Sequence, residues 1–374
     1  MPDSVSKVER DLATLKSTVS TLSYLLTQLQ TTTAPQGPKP SDDSTTAINP
    51  LSLAHDSASL IKAHATKLSL LIITPPLTPT AIITVLRELA AGPLPGLASA
   101  IELCSAATYT RAMSTELQWR AKKLFTDLES LIAVVPLDGK VLSSAQKNSG
   151  RGSLAGTGAV WDACEQVMAL KTLGIAGLCI KKAEQYRDLL KDALEELQEW
   201  GDEEGSDAES EEDENAEQED EDNAQNIADT IFSPPQHIPP TDPTLLRPRL
   251  ETTLHRTRLL VLLYSALIKR RFKTLPASDA SRIPVIDAVL RTLQKLPSAA
   301  DELASAFYEL DPGLVDARMR EFFETGKEAA SMMGRDWEGR EDEFTAWVSL
   351  FLLFVCSCLL WGGRDLDREE LMDE

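Results

Sequence analysis

The chain has 374 residues, 43% of them hydrophobic, and a formal net charge of −21. At roughly 100–200 residues per domain, that length predicts two or three domains with enough apolar side chain to build cores. Acids outnumber bases 58 to 37, which argues against a nucleic-acid binder, because phosphate backbones select Lys and Arg.

The first thirty residues carry a heptad stripe. Val5, Val8, Leu12, Leu15, Val19, Leu22, Leu26 and Leu29 recur at alternating spacings of three and four. That period keeps one seam of a helix facing a partner helix, so residues 1–30 are expected to form a coiled coil in a homodimer or to fold back onto the next domain. Pro2–Asp11 is polar and charged, so no secretory leader is read there. Residues 31–48, rich in Thr, Pro, Ser and Gly, read as a flexible linker.

Residues 49–200 read as a first block of helices. Thr78-Pro79 looks like an N-cap followed by proline at the first helical position. Leu142–Gly158 is rich in Gly and Ser and reads as a loop. A long helix follows, with Cys179, Ala183, Tyr186, Leu190, Ala193, Leu197 and Trp200 on one seam.

The acid is concentrated in one place. Gly201–Asp222 holds fourteen Asp and Glu and no Lys or Arg, so the other 352 residues carry only −7. Self-repulsion and the lack of apolar side chains predict disorder across this tract, and 201–243 is read as an acidic, Pro-rich linker. Ser206 and Ser210 each precede an acid by three residues, which suits an acidophilic kinase of the casein-kinase type; the plain alternative is a solubilising serine.

Residues 244–363 read as a second helical block. Leu250, Leu254, Val261, Tyr264, Ile268 and Phe272 share a face of its first helix. Lys269, Arg270, Arg271 and Lys273 then suit a helix C-terminus, or a nuclear-import signal. Ser298–Asp301 resembles a capping box and Asp311-Pro312 a second cap. Phe344–Trp361 is eighteen uncharged residues, long enough for a membrane span, but flanked without basic bias; a buried bundle helix is the preferred reading. Residues 364–374 form an acidic tail.

No catalytic site, cofactor or metal site can be assembled from local motifs. Gly150-Arg-Gly152-Ser-Leu-Ala-Gly156 has the spacing of some dinucleotide loops, but no strand delivers it to a helix. His55 and His64 fall on opposite sides of one helix, and neither has a ligand at metal spacing. The five cysteines read as reduced, buried thiols of a cytosolic or nuclear protein.

One motif pair points to a family. Val160, Trp161, Ala163 and Cys164 fit a V-W-x-A-C helix, and Asp192, Ala193, Glu195 and Glu196 fit the D-A-x-E-E ending of a long helix before an acidic connector. This order resembles the cyclin-D-binding protein family. The resemblance implies two antiparallel, vinculin-like helix bundles joined by the acidic linker, with no enzymatic activity. It implies binding to D-type cyclins or helix–loop–helix factors, negative regulation of the cell cycle and transcription, and residence in nucleus and cytoplasm. Periodicity assigns the motif residues to the core, and no residue can be carried over for the cyclin contact.

Overall fold

A computed structural model describes residues 2–31, 48–148, 152–202, 237–239, 241–276 and 280–356. All regular structure among them is helical, with no strand, as the sequence predicts. The chain divides into two compact units, Met1–Leu178 with Ala277–Asp287, and Cys179–Pro276 with Ala288–Glu374.

The first unit contains α1 (Pro2–Thr31), α2 (Pro50–Ile73), α3 (Pro79–Ala91), α4 (Pro93–Leu103), α5 (Ala106–Tyr109), α6 (Arg111–Ala133), α7 (Ser144–Asn148) and the first part of α8 (Ser153–Asp202). Its helix starts are chemically marked. Asn49 caps α2 by accepting from the Ser52 N–H, and Pro50, Pro79 and Pro93 each fill a position where a helix needs no amide. Thr78 makes no side-chain capping bond, so Pro79 alone marks that start. The α6 amide of Arg111 donates to both carboxylate oxygens of Asp287 at 2.9 Å.

One core joins these helices. It includes Ala54, Ile61 and Leu68 of α2, Leu86 of α3, Leu97 of α4, Leu117 and Leu124 of α6, and Val160 and Val167 of α8. The stretches Pro79–Leu103 and Ser144–Asp202 are long and apolar enough to cross a membrane by composition, and buried residues of the first stretch, with those of the second as far as Leu178, line this core. The α1 seam is used here too. Leu15, Leu22 and Leu26 are buried, and Leu12, Val19 and Leu29 are half-buried, with α1 packed on α3 and α6. Gln30 ties the end of α1 to Glu129 of α6 at 2.7 Å. Of the two uses expected of the stripe, the structure shows the fold-back.

Other boundaries differ from the sequence reading. The glycine-rich stretch expected to be a loop to Gly158 becomes helix at Ser153. The long helix α8 is broken at Gly174, whose φ of 59° and ψ of −171° only glycine adopts cheaply. The two compact units divide at Leu178/Cys179, just beyond this break, and the Cys179–Leu197 seam is buried within the second unit. The acidic tract beyond Asp202, with Ser206 and Ser210, lies outside the described residues.

The second unit contains the rest of α8, α9 (Leu246–Arg270), most of α10 (Ile283–Tyr308), α11 (Pro312–Met332) and α12 (Glu343–Cys356). Ser298–Asp301 caps nothing, because α10 runs unbroken through Pro297. Its stripe of Ile286, Val289, Leu293, Leu296, Leu303 and Phe307 is buried on both sides of the proline, and that burial carries the helix across it. Asp311 does cap α11, accepting from the Gly313 and Leu314 amides. Trp200 packs edge-on against Tyr308, and the buried Tyr264 hydroxyl donates to the Leu293 carbonyl at 2.6 Å.

Helix α12 covers the first fourteen residues from Glu343, and its burial is one-sided. Phe344, Val348, Phe351 and Val355 are buried, whereas Leu350, Leu353 and Phe354 are exposed. Arg271, 1% exposed, latches its start. Its guanidinium meets both oxygens of Asp342 at 2.7 and 2.9 Å, donates to the Met333 and Gly334 carbonyls, and lies 4.6 Å from the Phe344 ring. Asp342 in turn accepts from the Thr345 amide, and Thr345 closes the box by accepting from the Asp342 amide. Of the basic run, Lys269, Arg270 and Lys273 are exposed and Arg271 is buried.

Leu22→Ala should cost about 3 kcal/mol of first-unit stability in denaturant unfolding and leave the mass in solution unchanged. Asp342→Ala should cost a similar amount, about 3 kcal/mol, by leaving a buried guanidinium uncompensated. The hydrogen bonds from Arg271 and Thr345 hold the Asp342 pKa well below the usual carboxylate value. A depressed carboxylate contributes stability that is present above its unfolded pKa, about 3.9, and lost as pH falls below it. Unfolding in acid should therefore be less pH-dependent in Asp342→Asn than in the parent.

Candidate functional site

The stripe Ala54, Ala58, Ile61, Ala65, Leu68 and Ile72 turns α2 toward the core. Small side chains in it let its neighbours approach closely. A Cβ on Gly96 of α4 would lie 2.6 Å from the Ser57 hydroxyl. The remaining face of α2 is left at the surface, between α3 on one side and α8 on the other.

On the α8 side the two helices run antiparallel, in a register set by two polar links. Lys62 pairs with Glu165 at 2.6 Å, and one turn on, the Trp161 indole N–H donates to the Thr66 hydroxyl at 3.0 Å. The Thr66 hydroxyl donates onward to the Lys62 carbonyl at 2.8 Å. The Lys62 ammonium sits 5.9 Å from the Trp161 ring centre, over its face. Trp161 is 40% exposed, so it is braced at the surface and not buried. A further turn along this register brings exposed Leu70 of α2 to the level of Gly158, which has open space above its Cα, with exposed Leu154 one turn beyond on α8.

On the α3 side lies a groove of about 500 Å³, lined by Lys67, Leu70 and Leu71 of α2 and by Ala81, Thr84, Val85 and Glu88 of α3. Leu70, 55% exposed, is the lip common to both faces. His64 stands beside the groove with Nδ1 3.5 Å from a Glu88 oxygen, without the geometry of a hydrogen bond. Burial first, and then Lys67, lower its pKa, against a smaller upward pull from Glu88.

The structure separates the motif residues by role. Val160, Ala163 and Cys164 are buried, as their periodicity predicts. Trp161 is not core, and Asp192, Glu195 and Glu196 are exposed, with Ala193 half-buried. The reason is angular: Trp161 lies one residue past Val160, about 100° around the helix from the core stripe. Burial pushes the Cys104 and Cys164 thiols up to about 12, which keeps them protonated and unreactive. No cluster of three or more metal-ligating side chains occurs among the described residues.

The sequence reading did not find the α2 lip. Leu60 and Leu70 do fall off the α2 core stripe, and that was the available signal. Their exposure depends on which helices flank α2, which one chain's periodicity does not specify.

These features define an all-α protein with an exposed, braced apolar face on its first unit. Residues 54–203, which include all of this face, match the family described as Grap2 and cyclin-D-interacting, N-terminal. That segment is similar to the cyclin-D-interacting family, as the Val160–Cys164 motif implies. An uncharacterized protein of Schizosaccharomyces pombe is 30% identical over 161 residues, which covers 43% of this chain and 46% of the yeast protein. The match thus spans about half the length of that relative.

His64 gives this face a pH signature. Its folded pKa lies below the ordinary 6.5. The unfolded chain then binds the proton more readily, so first-unit stability is full above about pH 6.5 and falls as pH drops through that value. Denaturant midpoints at pH 7.5 and 5.5 should differ more in the parent than in His64→Gln.

Proposed function

We propose that this protein is a non-enzymatic interaction factor that binds a D-type cyclin through the α2/α8 face of its first unit. The observation that carries this reading is the placement of a braced, exposed Trp161 inside the segment that matches the cyclin-D-interacting family. Tryptophan is enriched at the energetic centre of protein interfaces because it offers a large apolar area and one donor. Here the donor is already satisfied by Thr66, so the ring can be covered without stranding a polar group.

The mechanism is occupancy. A partner surface laid over Leu70, Trp161 and Leu154 is withheld from its other ligands, which acts as negative regulation of cell-cycle progression or transcription. A helix–loop–helix factor is the second partner class that the family resemblance supplies. The reading includes no direct contact with nucleic acid, no cofactor and action in nucleus and cytoplasm.

The test is direct binding of the purified full chain to a purified D-type cyclin by calorimetry. Trp161→Ala and Leu70→Asp should each weaken binding at least tenfold, about 1.4 kcal/mol, and leave the melting temperature within a degree or two of the parent. A parent that does not bind the cyclin overturns the partner. Binding that survives both substitutions overturns the face.

A further inference from the structure

Proline follows a serine or threonine at three places in the chain: Thr74-Pro75, Thr78-Pro79 and Ser233-Pro234. The first two lie in the short connection between α2 and α3, and the third falls outside the described residues. Such a dipeptide is the minimum that proline-directed kinases require. Proline has no amide hydrogen to leave unsatisfied after the acceptor, and it keeps the residue before it out of the helical region. Thr74, Pro75, Pro76 and Thr78 are all exposed. The backbone is extended at Thr74, with φ −100° and ψ 119°, and remains non-helical at Thr78, with φ −117° and ψ 88°.

The two threonines stand at opposite poles of two helices. Thr74 closes α2, its amide donating to the Leu70 carbonyl at 3.0 Å, and the neighbouring Ile73 carbonyl already accepts from the Lys147 ammonium. A phosphate there faces the negative end of the α2 dipole. Thr78 opens α3. Its hydroxyl donates over a long 3.3 Å to the Pro76 carbonyl and accepts from no amide, although a threonine at this position is placed to do so. The Ala81 and Ile82 amides reach the Thr78 carbonyl at 3.1 and 3.2 Å, and the Thr80 amide has no acceptor among the described residues. A phosphate on Thr78 brings three acceptor oxygens and about −1.5 to −2 charge to this turn. One connection therefore holds two acceptors with the same sequence signature and opposite electrostatic consequences.

We infer that Thr78 is a phosphorylation site for a proline-directed kinase, and that its phosphate fastens the start of α3. In the transfer, the kinase's base takes the Thr78 hydroxyl proton and Oγ1 bonds to the γ-phosphorus of magnesium-bound ATP. The bond from that phosphorus to the β,γ-bridging oxygen breaks, and ADP leaves. Ala81, Thr84, Val85 and Glu88 of α3 line the groove shared with α2, so the modification firms one wall of that groove. Phosphorylation of Thr78 does not depend on what the Trp161 face binds.

The test is to incubate the purified, folded full chain with a mitogen-activated protein kinase and magnesium-ATP, and to map phosphate by mass spectrometry. Ser233→Ala removes the third acceptor. In that background one phosphate should map to Thr78, persist in Thr74→Ala and disappear in Thr78→Ala. The phosphorylated chain should melt about 2 °C or more above the untreated chain at pH 7.5. The gain should shrink at pH 5, where the phosphate carries one charge less. Phosphate at Thr74 alone, phosphate at Thr78 only after the chain has been unfolded, or none at either position overturns the site. A Thr78 phosphate that leaves the melting temperature unchanged or lowers it overturns the role at α3.

Discussion

The closeness with which α2 packs is the constraint on which the first unit depends. Its inward positions alternate Ala54, Ala58 and Ala65 with Ile61, Leu68 and Ile72, and Ser57 faces Gly96 with no room for a larger side chain. Small residues bring α4 near, and the larger ones fill the space behind them. Three neighbours are therefore held close to one helix, and its outward face becomes narrow. Asp56, Ser59, Leu60, Ala63, Lys67 and Leu70 are what remains exposed, and the Trp161 face and the α3 groove are the two sides of that ridge. Widening the α2–α4 contact would move Thr66 away from Trp161, so core packing sets the geometry of the surface.

Buried arginines divide the labour of locking helices together. Arg120 bonds Glu116 one turn earlier on α6 and reaches the Gln166 carbonyl of α8 at 2.5 Å. Arg271 ties the end of α9 to the residues that start α12. In each, one planar group donates to backbone carbonyls of a neighbouring segment, while a carboxylate balances the charge. Such sites add little net stability over apolar packing, but they penalise alternative helix arrangements, because a wrong arrangement strands a charge. An all-α chain rich in interchangeable Leu and Ala gains specificity from this, since its apolar stripes alone would accept more than one register.

Helix positions and buried faces were legible in the sequence because they depend on local spacing. The stripes of α1, α8 and α9 needed only a period near 3.6. Three features were not legible, each for a physical reason. The break at Gly174 looks like any glycine in a helical run, since both flanks are helical and only the backbone torsion differs. Pro297 and Ser298 carry the signature of a helix start, but tertiary burial on both sides outweighs it. The exposure of Trp161 depends on which neighbour faces the helix 100° from its core stripe. The family motif marked the residue without indicating its side, and apolar character alone argued for the interior.

The indole of Trp161 shows why exposure at this point differs from incomplete burial. A tryptophan left partly outside by poor packing would keep its rotamer freedom and an unsatisfied N–H. This one has its N–H bonded to Thr66, whose hydroxyl is itself fixed by bonding back to the Lys62 carbonyl. Lys62 cannot swing across the ring without giving up Glu165. The ring is thus held in one orientation by three side chains that contribute little to the core. Ordering a large apolar side chain before contact removes that entropic cost from any later association, which is how preorganised surfaces gain affinity per unit area. Folding alone gives no reason to maintain this bracing, because the buried members of the motif, Val160, Ala163 and Cys164, already secure α8 to the core.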